Sequence, residues 1–196
     1  RLKGEDVTRL GCRDLRRRGF AYVPSDRLFR GVSLDSSLSD NLAVPVLRKM
    51  PHLAFVRDAR LREHALSLQK AYGIEADPSL PVGTLSGGNI QKAILARELS
   101  HPAALVLFSE PTSGVDLRST AVIFRRLFRL RAAGAAVLVI STDMDEILTL
   151  SDRIAVMYQG SIVRILPGTP PPTREEIGRL MLGGGSHHGT QGAGAP

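Results

Sequence analysis

Three short apolar runs, Phe20–Val23, Leu105–Phe108 and Ala136–Ile140, constrain this chain more than any other feature. Gly19 and Pro24 bracket the first, and Gly134 precedes the third. Runs this short and this apolar suit strands of a parallel sheet buried by helices. The stretches between them carry helical spacing, and strands alternating with helices build a layered α/β domain. The fold class is therefore α/β.

Reading outward, a short helix around Arg13–Arg18 is stopped by Gly19. Residues 25–39 are loop-like, rich in Ser, Gly and Asp, and Asn41–Leu47 regains helical spacing. Pro51 interrupts before a helix over Val56–Tyr72, with Leu61, Ala65, Leu66 and Leu68 on its apolar side. This middle part reads as a small helical subdomain. Ser86 can cap a helix whose apolar residues include Ile90, Ile94, Leu95 and Leu99. Further helices are expected over Leu117–Arg131 and Asp143–Leu150. Ile154–Tyr158 and Ile162–Ile165 flank Gln159-Gly160 as a hairpin. Thr173 is placed to cap a last helix through Met181, with Glu176 completing a capping box. The Gly-rich tail over 183–196 has little to bury and is expected to be disordered, with His187 and His188 as tail residues rather than ligands.

Composition narrows the function classes. At 196 residues and 43% hydrophobic, the chain can bury one substantial core. No run approaches the roughly 20 apolar residues that span a bilayer, and no apolar stretch follows Arg1–Asp6 as in a secretory leader. The lone Cys12 cannot form an internal disulfide, so a reducing cytoplasm is the expected setting. The net charge of +7 permits contact with nucleic acid or anionic lipid without identifying either. No zinc spacing or aromatic-basic interleaving supports nucleic acid, and none is expected as a partner. The cluster Arg13, Arg16, Arg17 and Arg18 reads as a solvated helix face or as a surface near phosphates.

The sharpest local chemistry lies in Leu85-Ser86-Gly87-Gly88-Asn89-Ile90-Gln91-Lys92. Two glycines at a helix start let backbone N–H groups approach a phosphate, and Ser86 adds a hydroxyl. Alone, Ser86-Gly87-Gly88 is equally a turn and a helix cap. Beyond the second apolar run come Ser109-Glu110-Pro111-Thr112 and then Gly114-Val115-Asp116. A carboxylate just past a parallel strand sits where open α/β sheets bind ligands. Glu110 could orient or deprotonate a water attacking a γ-phosphate, or be a solvated loop residue. Asp116 could also be the N-cap of the next helix, and both roles can hold together.

Together with Tyr22–Arg27 and Ser151–Met157, these stretches give the run from Gly4 to Met181 a resemblance to a nucleotide-binding domain of the ATP-binding-cassette (ABC) superfamily. It is most similar to the second domain of the tandem ATPases serving simple-sugar and nucleoside importers. The resemblance implies a partial P-loop NTPase fold of ABC type. An incomplete nucleotide-binding domain would occupy residues 1–182, its helical signature subdomain about 40–100, followed by the tail. It implies ATP and Mg²⁺ as ligands, a homologous nucleotide-binding domain and a transmembrane permease as partners, and a peripheral place on the cytoplasmic face of the membrane. Ser86, Gly87 and Gly88 would contact the γ-phosphate of ATP on an opposing domain. Glu110 matches the catalytic glutamate, and Asp116 the aspartate of the loop communicating between sites. Ser25 falls where a glutamine commonly senses magnesium and the membrane partner. Residues 28–41 lead into the part that contacts the membrane subunit.

The sequence also departs from that pattern. No Gly-Lys-Ser/Thr phosphate loop occurs anywhere in it. Ser109 stands at the position of the magnesium-linked aspartate, where a hydroxyl can bond to a water of the metal but cannot offset its charge. Thr142 stands where a histidine contacts the γ-phosphate; it can donate one hydrogen bond but lacks an imidazole. The expected role is therefore a motor half that completes a partner's ATP site, with no hydrolysis by this chain alone. The alternative is a truncated, non-hydrolysing domain that only binds a permease or partner.

Overall fold

The apolar runs become strands β1 (Phe20–Val23), β2 (Leu105–Ser109) and β3 (Ala136–Ile140). The structure is a computed structural model that describes residues 1–47 and 54–184. The strands pair in the order β1-β2-β3, all parallel, with Val23 opposite Phe108 and Phe108 opposite Val139. Parallel pairing sets the carboxyl ends of the strands along one edge, where ligands bind in open α/β sheets. Ala21, Val23, Val106 and Phe108 are buried, following the two-residue period of a strand.

Helix α1 (Cys12–Arg17) leads into β1. Helices α2 (Leu38–Leu47), α3 (Ala54–Tyr72) and α4 (Gly87–Glu98) pack on one another, and α4 also packs against β1. That central position explains why α4 is buried around most of its circumference, from Ile90 and Gln91 to Ala96 and Glu98. Helix α5 (Leu117–Ala132) packs on β3 and turns Ser119, Ile123 and Leu127 inward at four-residue intervals. Arg126 on α5 reaches back to α3, donating to Ala71 O and lying 4.1 Å from the centre of the Tyr72 ring.

Several expectations shift in detail. The second helix starts at Leu38, before Asn41, because Ser37 Oγ accepts the Asp40 N–H at 3.0 Å and caps it. The stretch read as loop contains one turn of π-helix, Arg27–Gly31, capped by Asp26 Oδ1 accepting the Phe29 N–H. Leu66 is 52% exposed; Ala65, Leu68 and Tyr72 carry the buried side of α3 instead. The third strand is half-buried, with Leu138 52% and Ile140 53% exposed. It ends the strand order, and α5 covers only one of its faces. The arginine cluster is partly structural: Arg16 pairs with the buried Glu98 at 2.7 Å and Arg18 with Glu5 at 2.9 Å. Pro51 and the tail from 185 onward lie outside the described residues.

Residues 1–140 form one unit, and a second begins at Ser141. In the second, Asp143 caps α6 (Met144–Leu150), accepting from the Asp145 and Glu146 amides. Strands β4 (Arg153–Tyr158) and β5 (Ser161–Pro167) pair antiparallel. Gln159 and Gly160 join them with φ of 45° and 80°, the paired positive values of a type I′ hairpin turn. Thr173 Oγ1 accepts the Glu176 N–H and caps α7 (Arg174–Met181). Ile154, Val156, Leu166, Ile177 and Leu180 form this unit's core. Among the described residues no helix is long and apolar enough to cross a membrane.

Candidate functional site

Ser86 has extended backbone (φ −62°, ψ 151°), and its hydroxyl accepts the Asn89 N–H at 3.3 Å. It is the N-cap of α4. Helix geometry leaves the Gly87 and Gly88 amides outside the intrahelical ladder, and Ser86 and Gly87 are exposed. The start of α4 thus presents unpaired N–H groups and the positive end of a helix dipole to solvent. Asn89 and Lys92 reach the other way. Asn89 Nδ2 donates to Glu75 O at 3.2 Å and Lys92 Nζ to Gly73 O at 2.9 Å, tying the turn after α3 to α4.

Gly88 faces the start of α5. A methyl group there would stand 2.8 Å from Ser119 Oγ and 3.2 Å from Asp116 Oδ2, so a larger residue would have to displace those side chains. Asp116 is the N-cap of α5, accepting from Ser119 N at 3.0 Å and Ser119 Oγ at 2.8 Å. The capping role read from the sequence is therefore present, and it places Asp116 beside the Ser86–Gly88 turn.

Ser109 is the last residue of β2, in register with Ile140. Glu110 follows with φ +47°, a left-handed conformation unusual for a residue with a side chain. Two backbone bonds hold it there: its N–H donates to Ile140 O at 2.8 Å, and its carbonyl accepts the Ser113 N–H at 3.2 Å. The reversal turns the chain sharply at the carboxyl edge. Ser25, exposed, follows the buried Pro24 at the end of β1 on that same edge. All these candidates lie in the first unit. Thr142 lies in the second, exposed, directly before the Asp143 cap.

Sequence reasoning overlooked Arg27, Gln91 and Gly114. Gln91 is 2% exposed, and its Nε2 donates to Pro111 O at 3.0 Å. A polar residue on an otherwise apolar helix face was the available signal. Arg27 extends its guanidinium to Gly87 O and Gly114 O at 3.4 to 3.5 Å, and nothing in its local sequence foretells that. A surface depression of about 290 Å³, bounded in part by Leu2, Glu5, Arg18 and Pro102, lies by Gly19 at the amino end of β1. It is remote in the strand direction from these residues.

No family model matches the sequence. Individual relatives do. Over 188 residues the chain is 37% identical to the nucleoside import ATP-binding protein NupA of Lactococcus lactis subsp. cremoris, covering 94% of this chain and 37% of that one. It is 36% identical over 185 residues to the ribose import ATP-binding protein RbsA of Hahella chejuensis, covering 93% and 37%. A dimeric ATP-binding cassette in a post-hydrolysis state with ADP and Pi superposes with a TM-score of 0.70 at 19% identity, covering 85% of this chain and 71% of that one. The chain is homologous to ABC-transporter nucleotide-binding domains and has their fold. A second cassette, in an ADP conformation, agrees at a TM-score of 0.63 and 20% identity, covering 91% and 70%. The chain spans 37% of the length of each of the two relatives NupA and RbsA.

Proposed function

We propose that this chain supplies the signature half of an ATP site in an importer for simple sugars or nucleosides. The observation that carries the reading is the exposed start of α4, with Ser86 and Gly87 open to solvent and Asp116 packed beside Gly88. Free amides, a hydroxyl and a helix dipole suit the γ-phosphate of an ATP held by a facing homologous domain. The names of the relatives, import ATP-binding proteins for nucleoside and ribose, support the cargo class.

Glu110 would orient the attacking water and accept its proton from its place just past the carboxyl end of β2. Asp116 would couple the signature turn to the loop that carries Glu110. Ser25 and Thr142 would touch the nucleotide's surroundings by hydrogen bonding alone. Mg²⁺, when bound, would neutralise phosphate charge. Among the described residues no group of three His, Cys, Asp or Glu side chains is placed to hold a metal. Ser109 would meet a magnesium ion arriving on the nucleotide through one of the ion's water ligands, since its hydroxyl does not offset the metal's charge. The partners on this reading are a second nucleotide-binding domain and a permease, with the chain peripheral on the cytoplasmic face of the membrane.

A second reading, a domain that binds its permease or partner without taking part in hydrolysis, is favoured by neutral Ser109. One experiment separates the two: ATP hydrolysis by the complete ABC complex containing this chain, with and without Ser86→Ala. The first reading expects the rate to fall by about tenfold or more, as for loss of a preorganised donor. An unchanged rate in a normally assembled complex would leave only the second.

A further inference from the structure

The π-turn after β1, the signature turn and the loop between Glu110 and Asp116 are separate in sequence, yet one side chain reaches all three. Arg27 leaves the π-turn and lies with Nη1 3.4 Å from Gly87 O and 3.5 Å from Gly114 O. Its Nη2 is 3.4 Å from Gly114 O as well. Both receiving residues are glycines, and at Gly114 the guanidinium uses the space a side chain would fill. A methyl on Gly114 would sit 2.8 Å from Nη2, and one on Gly87 would sit 3.6 Å from Nη1. Gly114 also has φ +64°, which turns its carbonyl toward the guanidinium at no cost in side-chain sterics.

Asp26, just before Arg27, caps the π-turn through Phe29, so the root of the arginine is fixed as well as its tip. Asp26, Arg27, Gly87 and Gly114 all belong to the first unit. Lysine could not replicate the arrangement, because a guanidinium presents several donors in one rigid plane and an ammonium is a single point.

We propose that Arg27 is a positioning residue that locks the signature turn to the Glu110–Asp116 loop. It holds two carbonyls whose neighbours do the chemistry, and need not touch nucleotide itself. The proposal rests on the signature-half function and deepens it: Arg27 keeps Ser86–Gly88 and Asp116 in register, so that a phosphate received at one is sensed at the other.

Two measurements on Arg27→Ala and Arg27→Lys test it. The first is hydrogen exchange on the full 196-residue chain. Protection is expected to fall by about tenfold at the bonded amides of both segments, Asn89 and Ile90 in the first and Glu110, Ser113 and Val115 in the second, with β4, β5 and α7 unchanged, and the lysine variant intermediate. The second is steady-state ATP hydrolysis by the complete ABC complex, where kcat is expected to fall about tenfold with KM for ATP unchanged, as misplacement of positioned groups produces. Loss of protection in one segment only, or in neither, overturns the proposal. So does a raised KM at unchanged kcat, which would make Arg27 a direct phosphate contact, and so does a lysine variant that matches the wild type in both readouts. Ser86→Ala is run beside them. If it leaves hydrolysis unchanged, the proposed function fails and exchange alone judges Arg27. If it lowers hydrolysis while Arg27→Ala leaves kcat intact, only the Arg27 proposal fails.

Discussion

Gln91 donates its side-chain amide to the carbonyl of Pro111 at 3.0 Å, and both residues are buried. This bond ties α4 to the chain just past Glu110. The turn carrying Glu110 and the helix that begins at Ser86 are thereby linked through buried atoms. The other end of the amide, Gln91 Oε1, is buried with no hydrogen-bond partner in the structure.

Replacing Gln91 by Ala leaves Pro111 O without its donor and opens a cavity. Each effect costs on the order of 1–3 kcal/mol. Gln91→Leu fills the volume and removes the unpaired oxygen, so it is expected to be milder than Ala. Urea unfolding of the chain checks the order, and a leucine variant less stable than the alanine variant would contradict this packing of α4 on Pro111.

Gly87 and Gly88 are neighbours with opposite steric settings. A methyl on Gly87 meets nothing closer than 3.6 Å, whereas one on Gly88 meets Ser119 Oγ at 2.8 Å. Gly87→Ala should therefore fold as well as the wild type or better by up to about 1 kcal/mol, since alanine favours helix. Gly88→Ala should lose roughly 1–3 kcal/mol by overpacking, and adding Ser119→Ala should recover part of that. Thermal unfolding of the three variants tests this. If Gly87→Ala also lowers ATP hydrolysis by the complete complex, the loss reports on function rather than folding.

Glu110 occupies a left-handed conformation that costs about 1–2 kcal/mol for a residue with a Cβ. Glu110→Gly is thus expected to be more stable than Glu110→Ala, by about 1 kcal/mol after allowing for glycine's unfolded-state entropy. Both should lose hydrolysis alike. An alanine variant more stable than the glycine variant would show that the strain is absent.

Burial raises the Tyr72 hydroxyl above the ordinary value of 10.0, with Arg126 opposing the shift. The folded state then holds its proton more tightly than the unfolded state does. Tyr72 contributes full stability below pH 10.0, and that contribution fades as pH climbs from there through the raised value. Tyr72→Phe should flatten the decline of stability above that pH while leaving the Arg126–ring contact in place. A decline equally steep in both proteins would assign it to other groups.

What could be read from the sequence was whatever depends on neighbours along the chain. The runs Phe20–Val23 and Ala136–Ile140 are strands with the expected bounds, because a short apolar run between glycine or proline breakers has few alternatives. The expected caps Ser86, Asp116 and Thr173 all act as caps, because a short oxygen-bearing side chain satisfies amides only two or three residues on. The tertiary structure decided what depends on distant neighbours. Leu66 faces water and Ala65 the core because α2 and α4 pack on only one side of α3. The third strand is only half-buried because α5 packs on one of its faces and leaves Leu138 and Ile140 on the other. Arg27 meets Gly87 and Gly114 across separations of 60 and 87 residues. Local propensity carries no information over such distances; only the packing of α4 and the parallel register of β1 and β2 bring those groups together.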